Sequence, residues 1–219
     1  MTINPKWPVL REYTGEHLKE IALPLGGIGT GTVSLGGRGD LRDFEVMQRP
    51  AKGFVPEFAF FAVAATDKTT RRTRTKLLEG PLDIRLNTSG GSALRWYGLP
   101  RFRTAEFHAA YPLAQVILTD QCFPLSVRAE VFNPLIPTDA DASGYPVVAM
   151  RYVVENTSSG DLDVSIAGSL SNFIGYDGSK GASKANRNEF RNDADLAGIF
   201  FDSEGVDPLS PLRSRTSFR

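Results

Sequence analysis

The clearest pattern along the chain is strict alternation. Leu125, Val127, Ala129 and Val131 are apolar, while Ser126, Arg128 and Glu130 between them are polar. A period of two puts the apolar set on one side of a strand and predicts a half-buried β-strand there. Glu57–Thr66 reads differently, as an almost continuous apolar run that predicts a strand buried on both faces. Shorter strands are expected over Leu82–Leu86, Arg101–Ala109, Leu113–Thr119 and Gly198–Phe201. Val147–Glu155 and Leu162–Leu170 flank the turn-rich Asn156–Gly160, which predicts a hairpin. Gly26–Leu35 reads as extended, Gly36–Asp40 as a turn, and Leu41–Met47 as the returning strand of a second hairpin. Its glycines leave room for another backbone or a large side chain to come close. No segment carries helical periodicity with caps over more than a few turns. Many short strands separated by turn signals predict an all-β fold, an antiparallel β-sandwich. Ser171–Asn188, rich in Gly, Ser, Asn and Lys, is the longest linker-like segment.

Charge and cysteine content narrow the function. Lys+Arg and Asp+Glu both number 25 in 219 residues, so the net charge is zero. Without a basic surplus to neutralise phosphates, a nucleic-acid partner is not expected. The single Cys122 has no internal disulfide partner, so the fold must stand on burial and hydrogen bonds. The first residues lack the charged start and apolar run of a secretory leader, and no window reaches the roughly 20 apolar residues of a membrane helix. A cytoplasmic protein is expected.

The familiar catalytic signatures fail one by one. Gly27-Ile28-Gly29 opens like a dinucleotide fingerprint, but Thr32 occupies the third glycine position, Pro24 interrupts the preceding segment and no helix follows. The phosphate-loop pattern is missing its Gly-Lys-Ser/Thr. Arg38-Gly39-Asp40 matches an adhesion tripeptide, and Asn87-Thr-Ser and Asn156-Thr-Ser match glycosylation sequons, all of them short enough to arise by chance. The basic run Lys68, Arg71, Arg72, Arg74 and Lys76 reads as a solvated hairpin tip. His17 and His108 lie far apart in sequence with no ligand-spaced neighbours, so no metal site is expected. No Gly-x-Ser-x-Gly elbow is present. Asp43, Glu45, Asp177 and Glu189 are candidate carboxylates, and Asp43 and Glu45 share one face of a strand. Retaining glycoside hydrolysis needs two such groups about 5–5.5 Å apart, but spacing alone assigns the role to none of them.

The long segment Pro24-Leu-Gly-Gly-Ile-Gly-Thr-Gly-Thr-Val-Ser-Leu-Gly-Gly-Arg-Gly-Asp-Leu-Arg-Asp-Phe-Glu-Val-Met-Gln-Arg-Pro50 resembles the start of glycoside hydrolase family 116. These are the β-glucosidases that include the non-lysosomal glucosylceramidase, or bile acid β-glucosidase. Gly168-Ser-Leu-Ser-Asn-Phe-Ile-Gly175, Asn188-Glu-Phe190 and Gly198-Ile-Phe-Phe-Asp-Ser-Glu-Gly-Val206 follow in the family's order. The resemblance implies an N-terminal β-sandwich that packs on a C-terminal (α/α)6 barrel, with hydrolysis of β-glucosides by retention. Both catalytic carboxylates then belong to the barrel, so no residue here is expected to be catalytic and no cofactor is implied. Residues 1–208 are expected to form the sandwich, incomplete relative to the family's domain. Residues 209–219 are expected to be a divergent basic tail without a further strand, as a frameshift or premature stop would leave, so a truncated or fragment form is expected.

The partner implied is the missing helical-barrel catalytic domain, and with it β-glucosides. Gly27, Gly29, Gly31, Arg38 and Asp43 of the glycine-rich hairpin are the expected surface toward that barrel. Asn172, Phe173, Tyr176 and Asp177 offer an aromatic platform beside polar groups, the mix a sugar site uses. A stand-alone carbohydrate-binding or structural sandwich is the alternative.

Overall fold

The computed structural model describes residues 9–46, 49–82, 97–175, 185–193, 196–205 and 216–218. The alternating segment forms a strand, Leu125–Phe132, whose buried and half-exposed residues alternate along its length. Leu125, Val127 and Val131 are at most 2% exposed. Burial of each contributes about 1.5–3 kcal/mol. With the strands before and after it, this one builds the larger sheet. In chain order these are β1 (Arg11–Thr14), β7 (Thr104–Ala110), β8 (Leu113–Thr119), β9 (Leu125–Phe132) and β10 (Ala149–Asn156), in spatial order β1-β7-β8-β9-β10. All its pairings are antiparallel.

Opposite lie two three-stranded sheets. One is β2 (Ala22–Leu25), β3 (Gly31–Gly36) and β4 (Leu41–Val46), in that order. The other has β5 (Phe60–Asp67) between β6 (Thr73–Leu77) and β11 (Leu162–Ser169). One core joins the layers: Phe107, Val116, Leu118 and the apolar row of β9 pack with Leu25, Leu35, Val63, Ala65 and Leu78. This is an all-β sandwich. The apolar run in β5 explains itself, since Val63 and Ala65 face that core while Ala62, on the reverse side, is also buried. Phe44, Ala51, Phe54, Val55, Ala59 and Phe173 form a second, smaller cluster. A third small sheet comprises β12 (Asn186–Asp193), β13 (Leu196–Ser203) and β14 (Thr216–Phe218).

Three expectations need correction. Val147–Glu155 and Leu162–Leu170 are strands, but not a hairpin. β10 pairs with β9, whereas β11 pairs with β5 in the opposite layer. The intervening turn closes on itself, with the Asn156 amide donating to Gly160 O (2.8 Å) and its carbonyl accepting from Ser158 N (2.9 Å). Its ends are anchored in different layers, Thr157 N on Pro124 O and Lys68 N on Asp161 O. An Asx turn serves a hairpin and an arch between sheets equally well, so local chemistry cannot tell them apart. Second, Gly26–Thr30 is a turn rather than extended chain, and β3 begins only at Gly31. Third, a strand does follow Pro208, because Thr216–Phe218 pairs with Ile199–Phe201.

The basic run divides in two. Arg71, Arg72 and Arg74 are exposed at the β5–β6 tip, as a solvated hairpin requires. Lys76 instead turns inward. Its ammonium donates to Asp120 Oδ2 and Arg101 O, both at 2.7 Å, and lies 5.7 and 5.6 Å from the Phe102 and Phe123 ring centroids. The segment Leu82–Leu86 lies outside the described residues from position 83 on, as does the Asn87 sequon.

Candidate functional site

The glycine-rich hairpin has two ends with different chemistry. At the β2–β3 end, Gly26, Gly29 and Gly31 take φ values of 128°, 73° and 87°. That left-handed region is costly for residues with a Cβ. Gly27 is constrained by proximity rather than by φ. A Cβ there would lie 2.3 Å from Tyr145 O and 2.7 Å from Gly144 C. Backbone approaches glycine, as the sequence implies. The contact is sealed by Ile28 N donating to Ser143 O (2.8 Å) and Gly26 N donating to the Asn133 side-chain carbonyl (2.9 Å). Asn133 in turn donates to the Tyr111 hydroxyl at 2.8 Å. Ser143, in the helical turn Ala140–Ser143, donates to Asp139 O (2.6 Å) and accepts from Ile136 N (2.8 Å). These bonds tie together the segments that carry Ile28, Tyr111, Ile136, Tyr145 and Val147, all exposed, Ile28 by 59% and Tyr145 by 63%.

Gly27→Ala is expected to separate the glycine turn from Gly144–Tyr145 and to destabilise the fold by about 1–3 kcal/mol, the usual cost of overpacking. Urea unfolding measures it. Gly29→Ala, with nothing within 4 Å of the new Cβ, should cost only the strain of its positive φ, about 1 kcal/mol.

At the β3–β4 end the hairpin turns inward. Arg38, expected on an interface, is committed within the chain: it reaches Glu79 Oε2 at 2.9 Å and Asp40 Oδ2 at 3.2 Å. Arg42 donates to the same Asp40 oxygen at 2.9 and 3.1 Å, and Arg101 donates to Glu79 Oε2 at 2.8 Å. Three guanidiniums and two carboxylates thus interlock with side chains no more than 12% exposed. Burial pushes the Asp40 carboxyl up, but the charges of Arg38 and Arg42 outweigh it and hold the group below its ordinary range.

Asp43 is also turned to local use. Its φ is 49°, at a register shift where β3 and β4 fall out of step. Its Oδ1 accepts from Gly53 N (2.8 Å), and Glu45 Oε1 accepts from Ala51 N (3.0 Å). Lys52 Nζ reaches both carboxylates, at 3.6 Å and 3.0 Å. Asp43 and Glu45 do converge, but around a lysine and the turn that carries it.

Asn172 and Phe173 are adjacent in sequence and divergent in role. The Asn172 amide donates to Arg187 O, Asn188 Oδ1 and Asp202 O at 3.0–3.1 Å, and its side-chain carbonyl accepts from Ile174 N at 3.1 Å. It fastens the start of this loop to the β12–β13 hairpin. Phe173 is 4% exposed and sits edge-on to Phe44, with ring centroids 5.7 Å apart. Its ring faces the smaller core, not a cleft. Tyr176 and Asp177 lie outside the described residues.

One grouping was not legible from sequence spacing. His108, without ligand-spaced neighbours along the chain, stands beside Glu106 of its own strand and opposite Glu12 of β1. Only the sheet register brings them together. Among the described residues no helix is long and apolar enough to cross a membrane.

Together these features define an all-β sandwich module in which chain segments carrying exposed apolar side chains are bonded around Gly27, and Arg38, Arg42 and Arg101 interlock with Asp40 and Glu79. The sequence model described as beta-glucosidase 2, glycosyl-hydrolase family 116 N-term matches residues 22–216. The chain belongs to glycosyl hydrolase family 116, as its N-terminal domain.

Proposed function

We propose that this chain is the non-catalytic sandwich module of a retaining β-glucosidase, and that its exposed apolar residues pack against a helical-barrel catalytic domain. The observation that carries the proposal is the set of exposed apolar residues Ile28, Tyr111, Ile136, Tyr145 and Val147, carried on segments bonded to one another around Gly27 and Asn133. An exposed group of large apolar side chains marks a contact surface. Interfaces between domains need about 600–1,500 Å² of such partly apolar surface. The face of the hairpin that serves this role is then its Gly27–Gly29 end, while Arg38 and Asp43 support the fold behind it. Substrates of the assembled enzyme would be β-glucosides, glucosylceramide among them, cleaved by carboxylates of the barrel.

Hydrolysis of an aryl β-glucoside tests this reading. The chain alone should turn over none. Added to a separately produced family 116 barrel, it should raise that domain's activity, and Tyr145→Asp combined with Ile28→Asp should abolish the gain. Turnover by the chain alone, removed by substituting a single carboxylate, would overturn the proposal. Glucoside binding by the isolated chain in calorimetry, with no effect on the barrel, would favour a stand-alone carbohydrate-binding sandwich instead.

A further inference from the structure

The solvent-facing side of the five-stranded sheet carries a grouping that the proposed docking role leaves unused. Register places Glu12 of β1 directly opposite His108 of β7, and Glu106 lies two residues along β7 on the same face. One donor atom from each of the three lies within 4.8 Å of the other two. His108 Nε2 is buried, yet it has no hydrogen-bond partner. A buried polar atom left unpaired costs about 1–3 kcal/mol, so a ligand for it is worth seeking. Its neighbour Glu106 Oε2 is 3.6 Å away. That is beyond the 2.7–3.2 Å of a hydrogen bond. It is close to the roughly 3.4 Å that separates two donors bound tetrahedrally to one cation at about 2.0–2.2 Å each.

Among the described residues no hydrogen bond engages the imidazole Nε2. Gln115, across from His108 on β8, points its amide nitrogen toward Glu130 Oε1 at 3.5 Å. Among the described residues, neither Glu12 nor Glu106 is paired with a lysine or arginine. Two carboxylates therefore face the imidazole Nε2 with no lysine or arginine among the described residues to balance them. An imidazole with two carboxylates suits a first-row transition ion better than calcium or magnesium, which favour all-oxygen sets.

We propose that Glu12, Glu106 and His108 bind one divalent transition-metal ion, zinc being the best match, with water completing the coordination. The ion ties the four-residue edge strand β1 to β7 and fastens the start of the described chain to the sandwich.

Calorimetric titration of Zn2+ into the full, tag-free chain after chelator treatment tests the site, with thermal unfolding as a second readout. One ion per chain should bind and raise the unfolding temperature, while Mg2+ and Ca2+ at the same concentration should not compete. His108→Ala and Glu12→Gln should each weaken binding by more than about 100-fold, since even losing a group that merely supports a metal ligand costs about 10–100-fold. Glu12 is exposed on an edge strand, so its substitution does not endanger folding. Cys122→Ser and His17→Ala should bind zinc as the wild type does. Absence of saturable zinc uptake, unchanged affinity in Glu12→Gln, or tighter binding of Ca2+ than of Zn2+ would each overturn the proposal.

Discussion

Asp40→Ala is expected to destabilise the sandwich by about 3–5 kcal/mol, the cost of removing one partner from a buried charge pair. The carboxylate lies between two guanidiniums, at 2.9 Å from Arg42 and 3.2 Å from Arg38. Without it, among the described residues Arg42 keeps a 3.5 Å bond to Lys19 O, and Arg38 keeps Glu79. Most of the loss is a buried positive charge left without compensation, not the intrinsic worth of the bridge. Urea unfolding at neutral pH gives the number, and a change below about 1 kcal/mol would mean that solvent reaches these guanidiniums. The pH dependence carries a separate signature. Burial raises the Asp40 pKa but Arg38 and Arg42 lower it further, so the folded value lies below the usual 3.8. A depressed folded pKa contributes stability that is present above the unfolded value and lost as pH falls through the folded one. The Asp40 contribution should therefore hold down to about pH 4 and fade below it. Asp40→Asn should flatten that part of the acid limb.

The fold was legible wherever one face of a strand decides its environment. In β9 the period of two fixed both the strand and its buried side, because a one-residue slip would have exposed all four apolar residues. The arch between β10 and β11 was not legible. Its turn residues satisfy one another locally, and the choice of layer depends on which strand already occupies the neighbouring edge, a fact of tertiary structure. Gly27 falls between these cases: sequence called for a close approach, but only the folded chain shows that Tyr145, 118 positions on, is what approaches.

The same division runs through the functional residues. Arg38, Asp43, Asn172 and Phe173 have the chemistry of surface recognition when read singly, yet Asp43 is taken up by the nearby turn at Lys52–Gly53, and the other three by partners distant in sequence. Arg38 meets Glu79, 41 positions away, and Asn172 meets Asp202, 30 positions away. His108 shows the reverse. Along the chain it looks isolated, and pairing with β1 supplies Glu12 from 96 positions upstream. Composition records which groups are available, but strand register decides which of them meet.

Phe173 offers the sharpest test of where this boundary falls. As an aromatic platform for sugar, its ring would be open to solvent, and its removal would change stability by no more than about 0.5 kcal/mol. The ring instead lies against Phe44 at 76° within the cluster of Ala51, Phe54, Val55 and Ala59. Phe173→Ala should therefore cost about 3–5 kcal/mol, a transfer loss plus the cavity left in a region that cannot fully collapse. The edge-to-face contact accounts for about 0.5–1.5 kcal/mol beyond the area buried. Phe173→Leu should recover part of the loss, because leucine refills much of the volume without restoring the ring contact. Thermal and urea unfolding of the two variants measure these effects, and glucoside titration of each, under conditions where it remains folded, measures recognition. A large stability loss graded from leucine to alanine identifies a core residue. Undiminished stability with lost glucoside binding would return Phe173 to a sugar site and require the loop around it to open.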